Sequence, residues 1–386
     1  MNVAGWAEQH GTPFYLAHTD RVAAEMDRLR SAFRRHHPNT ELAYSVKTNY
    51  LPSLVRNAHD AGHRIEVVSR HELAYVRELG IPDDQIVFNG PGKTLDDLSD
   101  AHRTGVLVNL DSSAELAAAA KVGEQSGQPM RVGLRIAARL TSGDRSRFGV
   151  VPELVKDSVN QLCSEGHVEV VGLHIHHSSD RSAASFGTRV CTLAEAAHVL
   201  GLTALEFIDI GGGLASALPD RVREQLGYDV STFDEYAHAT AGAIEQAWGA
   251  DRPTLLLEPG TATLSSALSY VTRVVSRRAE DAIAVVDGTM FEVNPLRSRV
   301  EPPIDLLHSR SGDETQLFGG TCMEIDVLGS VAGTPEVGDL VILTNVGAYT
   351  LVLSPEFIVA RAPVVDAVTG EVLRARQATG DLGGFR

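Results

Sequence analysis

Lys47 lies in Tyr44-Ser-Val-Lys-Thr-Asn-Tyr50, at the end of an apolar run and between apolar neighbours. Such surroundings disfavour the ammonium form, and a neutral lysine amine is a nucleophile able to form a Schiff base. The same heptapeptide also reads as a lysine whose stem covers an apolar rim while its charge stays in water. Further along, Asp209-Ile-Gly-Gly-Gly213 offers three consecutive glycines. Bare backbone lets amides approach a phosphate closely, and three glycines exceed the need of a tight strand-to-helix turn, the competing reading. Glu258-Pro-Gly260 adds an acid that can hold a heterocyclic nitrogen protonated, with Gly260 as a further backbone donor.

Gly172-Leu-His-Ile-His-His-Ser-Ser179 holds three histidines. In an extended strand His174 and His176 share one face and His177 takes the other. No acidic residue sits at metal-ligand spacing from them, so no metal is expected and His176 is read as stacking on an aromatic ring. Arg135 closes another apolar run, where it can pair with a phenolate or carboxylate of a ligand or with a strand-end acid. Arg297 and Arg299, in Asn294-Pro-Leu-Arg-Ser-Arg299, read equally as anion-binding residues for a substrate and as solvated loop arginines.

Short β-branched runs that alternate with helical patterns must position these residues. The runs are 42–46, 64–68, 86–88, 106–109, 130–136, 168–175, 205–210 and 254–257. Between them, Val22, Met26, Leu29 and Phe33 mark one face of a helix, and Ser112 or Ser113 can cap an alanine-rich helix reaching Glu124. Eight strands with intervening helices predict a parallel (β/α)8 barrel. An open doubly wound sheet would fit the count, but no Gly-x-Gly-x-x-Gly follows the first strand. Active sites of such barrels lie at the carboxyl ends of the strands, where Lys47, Glu66, Asn89, Asp111, Arg135, His174, His176, Gly211–Gly213 and Glu258 all fall. Beyond about residue 265 the runs 271–275, 283–286, 339–343, 349–353 and 357–361 are broken by Gly, Pro, Asp and Asn, which predicts an antiparallel β domain. The expected division is a barrel over 22–265, with 1–21 and 266–386 forming the β-rich unit; strand 12–16 is assigned to its sheet.

The chain has 386 residues, and its 34 basic against 50 acidic side chains leave a net charge of −16. That charge argues against a binder of nucleic-acid backbone. Three dispersed cysteines provide no disulfide framework. Neither a membrane span nor an export signal is visible, so a soluble, cytoplasmic protein is expected.

In order along the chain, Tyr44-Ser-Val-Lys47, Glu66-Val-Val-Ser69, Ile86-Val-Phe-Asn-Gly90, Asn109-Leu-Asp-Ser112, Arg147-Phe-Gly149, His174-Ile-His176, Asp209-Ile-Gly-Gly-Gly-Leu214, Glu258-Pro-Gly260, Thr321-Cys322 and Gly347-Ala-Tyr349 resemble the fold-type III pyridoxal-phosphate decarboxylases. That group includes diaminopimelate, ornithine and arginine decarboxylases. The resemblance implies an alanine-racemase-like barrel that carries pyridoxal 5'-phosphate as an aldimine on Lys47. It places His176 on the ring, Arg135 near the phenolic oxygen and Glu258 on the ring nitrogen, with Glu66 and Ser179 also against the cofactor. Gly211–Gly213, Gly260, Thr261 and Tyr349 would hold the phosphate. Cys322 would come from the partner of a homodimer and donate the proton after decarboxylation, through a quinonoid carbanion.

Several positions depart from the resemblance. Thr261 stands where the family usually has an arginine on the phosphate, His176-His177-Ser178-Ser179 loses a glycine, and Met323 displaces an acid to Glu324. The segment that would recognise the far end of diaminopimelate is changed, leaving Arg297, Arg299 and Glu324 as candidates for substrate binding. The expected function is decarboxylation of an amino acid, free, conjugated or carrier-linked, in specialised biosynthesis. The alternatives are a racemase or epimerase on the same cofactor, or a non-catalytic homologue that binds a regulatory partner.

Overall fold

The computed structural model describes residues 2–178, 180–215, 218–226, 230–298 and 300–378. After a first strand, β1 (Phe14–Ala17), eight parallel strands close into a barrel: β2 (Thr40–Ser45), β3 (Arg64–Val67), β4 (Ile86–Phe88), β5 (Leu107–Leu110), β6 (Met130–Arg135), β7 (Val168–His174), β8 (Phe207–Asp209) and β9 (Thr254–Leu257). Each matches one of the eight apolar runs to within a few residues. Helices cover the outer face and side chains fill the interior, so these strands read as nearly continuous apolar runs rather than alternating ones. Pairing of Thr40 with Leu255 closes the ring.

The Val22, Met26, Leu29 and Phe33 stripe is the buried face of helix Thr19–Arg34. Ser112 caps helix Ser113–Ser126, its hydroxyl accepting the Glu115 N–H at 3.2 Å. No helix among the described residues is long and apolar enough to cross a membrane.

The second sheet comprises β10 (Leu268–Arg278), β11 (Ile283–Val286), β12 (Ile304–Leu306), β13 (Thr315–Phe318), β14 (Val327–Val331), β15 (Leu340–Leu343), β16 (Val364–Asp366) and β17 (Val372–Arg374), together with β1. β1 lies between β10 and β16. The sheet is mixed rather than purely antiparallel, because β1–β16 and β11–β13 pair in parallel.

Two runs expected as strands are not. Residues 349–353 turn, with the Leu353 and Ser354 amides both donating to the Thr350 carbonyl. Residues 357–361 contribute only a single bridge between Phe357 and Val359. Tyr349 and Ile358 have φ of 61° and 63°, a left-handed backbone that no strand accommodates. Apolar composition without alternation cannot distinguish such a turn from a strand.

Candidate active site

Parallel strands bring all eight carboxyl ends to one mouth. The register pairs Ser45 of β2 with Glu66 of β3, and Lys47 follows in a 3-10 turn over Val46–Thr48. The Lys47 Nζ therefore donates to both carboxylate oxygens of Glu66, at 2.7 and 2.6 Å, and lies 3.2 Å from Ser45 Oγ. Ser45 Oγ donates to the same carboxylate at 2.6 Å. The Asn89 amide, after β4, donates to Glu66 and to Glu258, and Asn109 of β5 fixes Asn89 from behind at 2.8 Å.

This corrects the expectation of a lysine held neutral by apolar neighbours. Burial does oppose the charge on Lys47, but the carboxylates of Glu66 and Glu258 outweigh it and hold the amine above its ordinary pKa. Lys47 is an ammonium in this state, and Glu66 is placed to take its proton. In Glu66→Gln the amine loses its nearest negative charge, so its titration moves to lower pH. Competitive labelling of Lys47 by an amine-reactive reagent, read by mass spectrometry across pH, should show the downward shift; an unchanged midpoint would contradict this account.

Glu258 follows β9, where its carboxyl lies among Asp209 of β8 and His174 of β7. Donor atoms of these three buried residues lie within 4.8 Å of one another. The spacing argument against a metal thus missed two acids that other strands deliver, and the trio has the types to hold a divalent ion. Burial, then Glu258, raises the Asp209 carboxyl well above its usual range, while burial and Glu66 raise Glu258 against the pull of Lys47. Burial and the nearby cations Arg135 and Lys47 push His174 far down, so it is neutral. Neither of its ring nitrogens has a hydrogen-bond partner among the described residues.

His176 accepts the Gly212 N–H on Nδ1 at 3.1 Å. Burial and the charges of Lys47 and Arg189 keep it neutral, so its proton resides on Nε2. The glycines are required by packing as well as by any ligand. A Cβ on Gly211 would meet His176 at 2.5 Å, and one on Gly212 would meet the Glu258 carbonyl at 2.2 Å. Gly211 donates its amide to Asp209 Oδ1 at 2.9 Å. Gly213 is the glycine of the three whose amide finds no protein acceptor among the described residues. At Gly260 a Cβ would lie 2.7 Å from Thr48 Oγ1, a buried hydroxyl without a partner among the described residues.

Arg135, the end of β6, is paired with Asp111 at 3.0 Å and stacked over Phe148, so the strand-end salt bridge is the arrangement seen. Tyr349 comes from the loop that follows β15. Its left-handed backbone is held by donation of its amide to the Thr48 carbonyl at 2.9 Å, and Asn49 Nδ2 donates to the Gly347 carbonyl at 2.8 Å. A left-handed tyrosine costs about 1–3 kcal/mol, a strain set where the second domain touches the lysine turn. Thr261 and Tyr349 share a cavity of about 280 Å³ with Arg181, Asn294, Leu296 and Asn345.

Cys322 and Glu324 lie elsewhere, in a separate cleft with Arg277, Arg278, Phe318 and Met323. One chain does not bring Cys322 to Lys47. Arg297 is exposed and does not line the Thr261 cavity. Ser179 and Arg299 lie outside the described residues. A larger cavity, about 500 Å³, opens at the amino ends of the strands, but its arginines are consumed in the Arg64–Glu41 and Arg131–Glu206 pairs.

Sequence reasoning missed Ser45, Arg181 and Arg189, and gave Asn89 and Asp209 no role. Asn89 and Asp209 carry a signal, since both sit at strand ends. Arg189 carries another, as a cation on the apolar stripe of its helix.

Residues 20–265 match the profile of the family described as "Pyridoxal-dependent decarboxylase, pyridoxal binding domain". The chain is 28% identical to the diaminopimelate decarboxylase of Deinococcus radiodurans, covering 97% of this chain and 96% of that protein. It is 27% identical to the chloroplastic ornithine decarboxylase of Nicotiana glauca over 89% of this chain and 81% of that one. The crystal structure of diaminopimelate decarboxylase from Helicobacter pylori complexed with L-lysine superposes with a TM-score of 0.85 at 21% identity, over 99% of this chain and 98% of that one.

Proposed function

The chain belongs to the pyridoxal-dependent decarboxylases, and from that membership we propose that it decarboxylates an amino acid, free or conjugated, in a specialised biosynthetic pathway. It is a carboxy-lyase of the family, and its cofactor is pyridoxal 5'-phosphate. The single observation that carries the reading is the constellation of half-buried Lys47 with buried Glu66, Asn89 and Glu258 at the barrel mouth.

The residues present fit the cofactor. Lys47 would hold its aldehyde carbon and Glu258 its ring nitrogen, while Gly213, Gly260, Thr261 and Tyr349 would surround its phosphate. The orphaned His174 nitrogens and the Thr48 hydroxyl indicate that polar groups are still to be satisfied there. When bound, the pyridoxal ring supplies a sink for the electron pair left as carbon dioxide departs.

The chain's own groups set the rest. The Glu66 carboxylate accepts from the Lys47 ammonium and holds it at the mouth. The Gly212 amide fixes the His176 tautomer, which keeps an N–H on Nε2 and a neutral ring face for stacking. Burial raises the carboxyls of both Asp209 and Glu258, and Glu258 would face the ring base with Asp209 beside it. We read this trio as the acid cluster for that base rather than a metal site, since Asn89 and the Gly211 amide already claim one oxygen of each acid. An acid at 258 favours decarboxylation over racemisation, because a protonated ring draws charge away from the carbon that a racemase must reprotonate.

Cys322 we assign to the neighbouring site of a homodimer, as proton donor after carbon dioxide leaves. Arg297, Arg299 and Glu324 would contact the far end of the substrate. Cys322→Ala should leave cofactor binding unchanged and lower turnover by ~10²–10⁴-fold, the span of a positioned proton donor. Mixing Lys47→Ala with Cys322→Ala chains should restore about a quarter of wild-type activity, because half the random dimers then hold one complete site of two. No recovery on mixing would sink the shared site. Release of carbon dioxide from a panel of D- and L-diamino acids, acidic amino acids and conjugates tests the activity itself. Deuterium entering the α-carbon without carbon dioxide would favour the racemase.

A further inference from the structure

Helix Ala183–Leu200 turns a buried stripe of Phe186, Val190, Leu193, Ala197 and Leu200 toward the barrel, and Arg189, 1% exposed, lies within it. Its guanidinium packs over the Phe186 ring at 4.1 Å. Among the described residues it forms no ion pair; its hydrogen bonds all go to backbone carbonyls. A buried cation without an ion-pair partner is costly, and the carboxylates of Asp180 and Glu258, too far for a pair, offset its burial only in part, so this one calls for an anion.

The choice of carbonyls is informative. One Nη donates to Ile210 at 2.9 Å and to Gly212 at 2.7 Å; the other donates to His177 at 2.8 Å. The Ile210 carbonyl shares a peptide unit with the Gly211 amide, and the Gly212 carbonyl shares one with the Gly213 amide. In a trans peptide the C=O and N–H point opposite ways. Arg189 thus grips two units of the glycine loop from behind and turns the unused Gly213 N–H away from itself. Donation to a carbonyl also polarises its peptide, which strengthens the N–H on the other side. A Cβ on Gly213 would lie 3.4 Å from the Arg189 Nη2. On the opposite flank, the first side chain after Glu258-Pro-Gly260 is the neutral Thr261.

We propose that Arg189 is the positioning residue for the cofactor phosphate: it holds the glycine loop in its donor conformation, and the phosphate dianion on the loop balances its charge. This rests on the cofactor reading above and adds to it the source of the phosphate's counter-charge. It also accounts for a neutral hydroxyl being tolerated at Thr261.

The test separates the two ideas. Cofactor-free wild type, Arg189→Met and Arg189→Lys are titrated with pyridoxal 5'-phosphate and with pyridoxal, which differ only in the phosphate, and the 31P resonance of the bound phosphate is recorded. Arg189→Met should lose about tenfold or more of the preference for the phosphorylated form, the worth of one charge-assisted interaction, with pyridoxal affinity little changed. Its 31P resonance should move toward that of free phosphate ester. Arg189→Lys keeps the charge but not the planar fork, so its loss should be smaller. A preference unchanged in whichever variant folds, or an equal loss for both ligands, overturns the proposal. A wild type that binds neither ligand overturns the cofactor reading, and this inference with it.

Discussion

Lys47→Ala should abolish the visible absorption that the wild-type protein develops with pyridoxal 5'-phosphate and lower carbon dioxide release by at least ~10³-fold, the upper part of the range for a positioned nucleophilic or proton-transfer group. The reason lies in the geometry of β2 and β3. Lys47 is the amine that the Ser45–Glu66 register delivers to the mouth, with an acceptor for its proton at 2.6 Å. The substitution also leaves the buried Glu66 carboxylate, among the described residues, with Ser45 and Asn89 as its side-chain donors. Removing one partner of a buried pair costs about 3–5 kcal/mol. Lys47 keeps 31% side-chain exposure, so water screens the pair and the loss should fall below that range. Added methylamine should restore part of the turnover if the missing amine alone is responsible. Full absorption in Lys47→Ala would refute the assignment.

Glu258→Gln should lower turnover by ~10²–10³-fold, the usual effect of deleting one preorganised electrostatic contact to developing charge, while making the cofactor-free protein more stable. The sign follows from linkage. Burial and Glu66 raise the folded-state pKa of Glu258 above its unfolded value. Between those two values the folded chain binds more proton than the unfolded one, so wild-type stability falls as pH rises through that window and stays reduced above it. Glutamine has no charge to desolvate, and its carbonyl can still accept from Asn89. The variant's melting temperature should therefore exceed that of wild type at neutral and alkaline pH. The gap should close as pH drops below the ordinary glutamate range. Thermal melts of cofactor-free protein across pH check this; a variant less stable throughout would mean Glu258 is net stabilising. Fold stability and reaction chemistry oppose each other at this residue.

The barrel was legible because its strands are buried on both faces and its helices on one, so each element carries its own period. Val22, Met26, Leu29 and Phe33 needed no tertiary knowledge to be placed on a core-facing stripe. The second sheet was less legible. Five of its strands, β12, β13, β14, β16 and β17, are short and lie between turns, and two apolar runs proved to be a turn and an isolated bridge. At the site, the residue types at the strand ends were readable one by one, and so was the order of motifs that resembles the decarboxylases.

Charge state and partnership were not readable, because both depend on what neighbouring strands deliver. The flanks of Lys47 in sequence are apolar, yet Glu66 keeps it charged, nineteen residues away but adjacent across the ladder. His174 had no acid at ligand spacing until β8 and β9 brought Asp209 and Glu258 beside it. The residue sequence by itself determined the elements, the mouth that their carboxyl ends form and the inventory of side chains there, since these depend on local period and on the single direction of parallel strands. Only the tertiary structure decided which of those groups share protons, which glycine amide remains free and which buried arginine stands behind it, because electrostatic energy depends on distance through space and not along the chain.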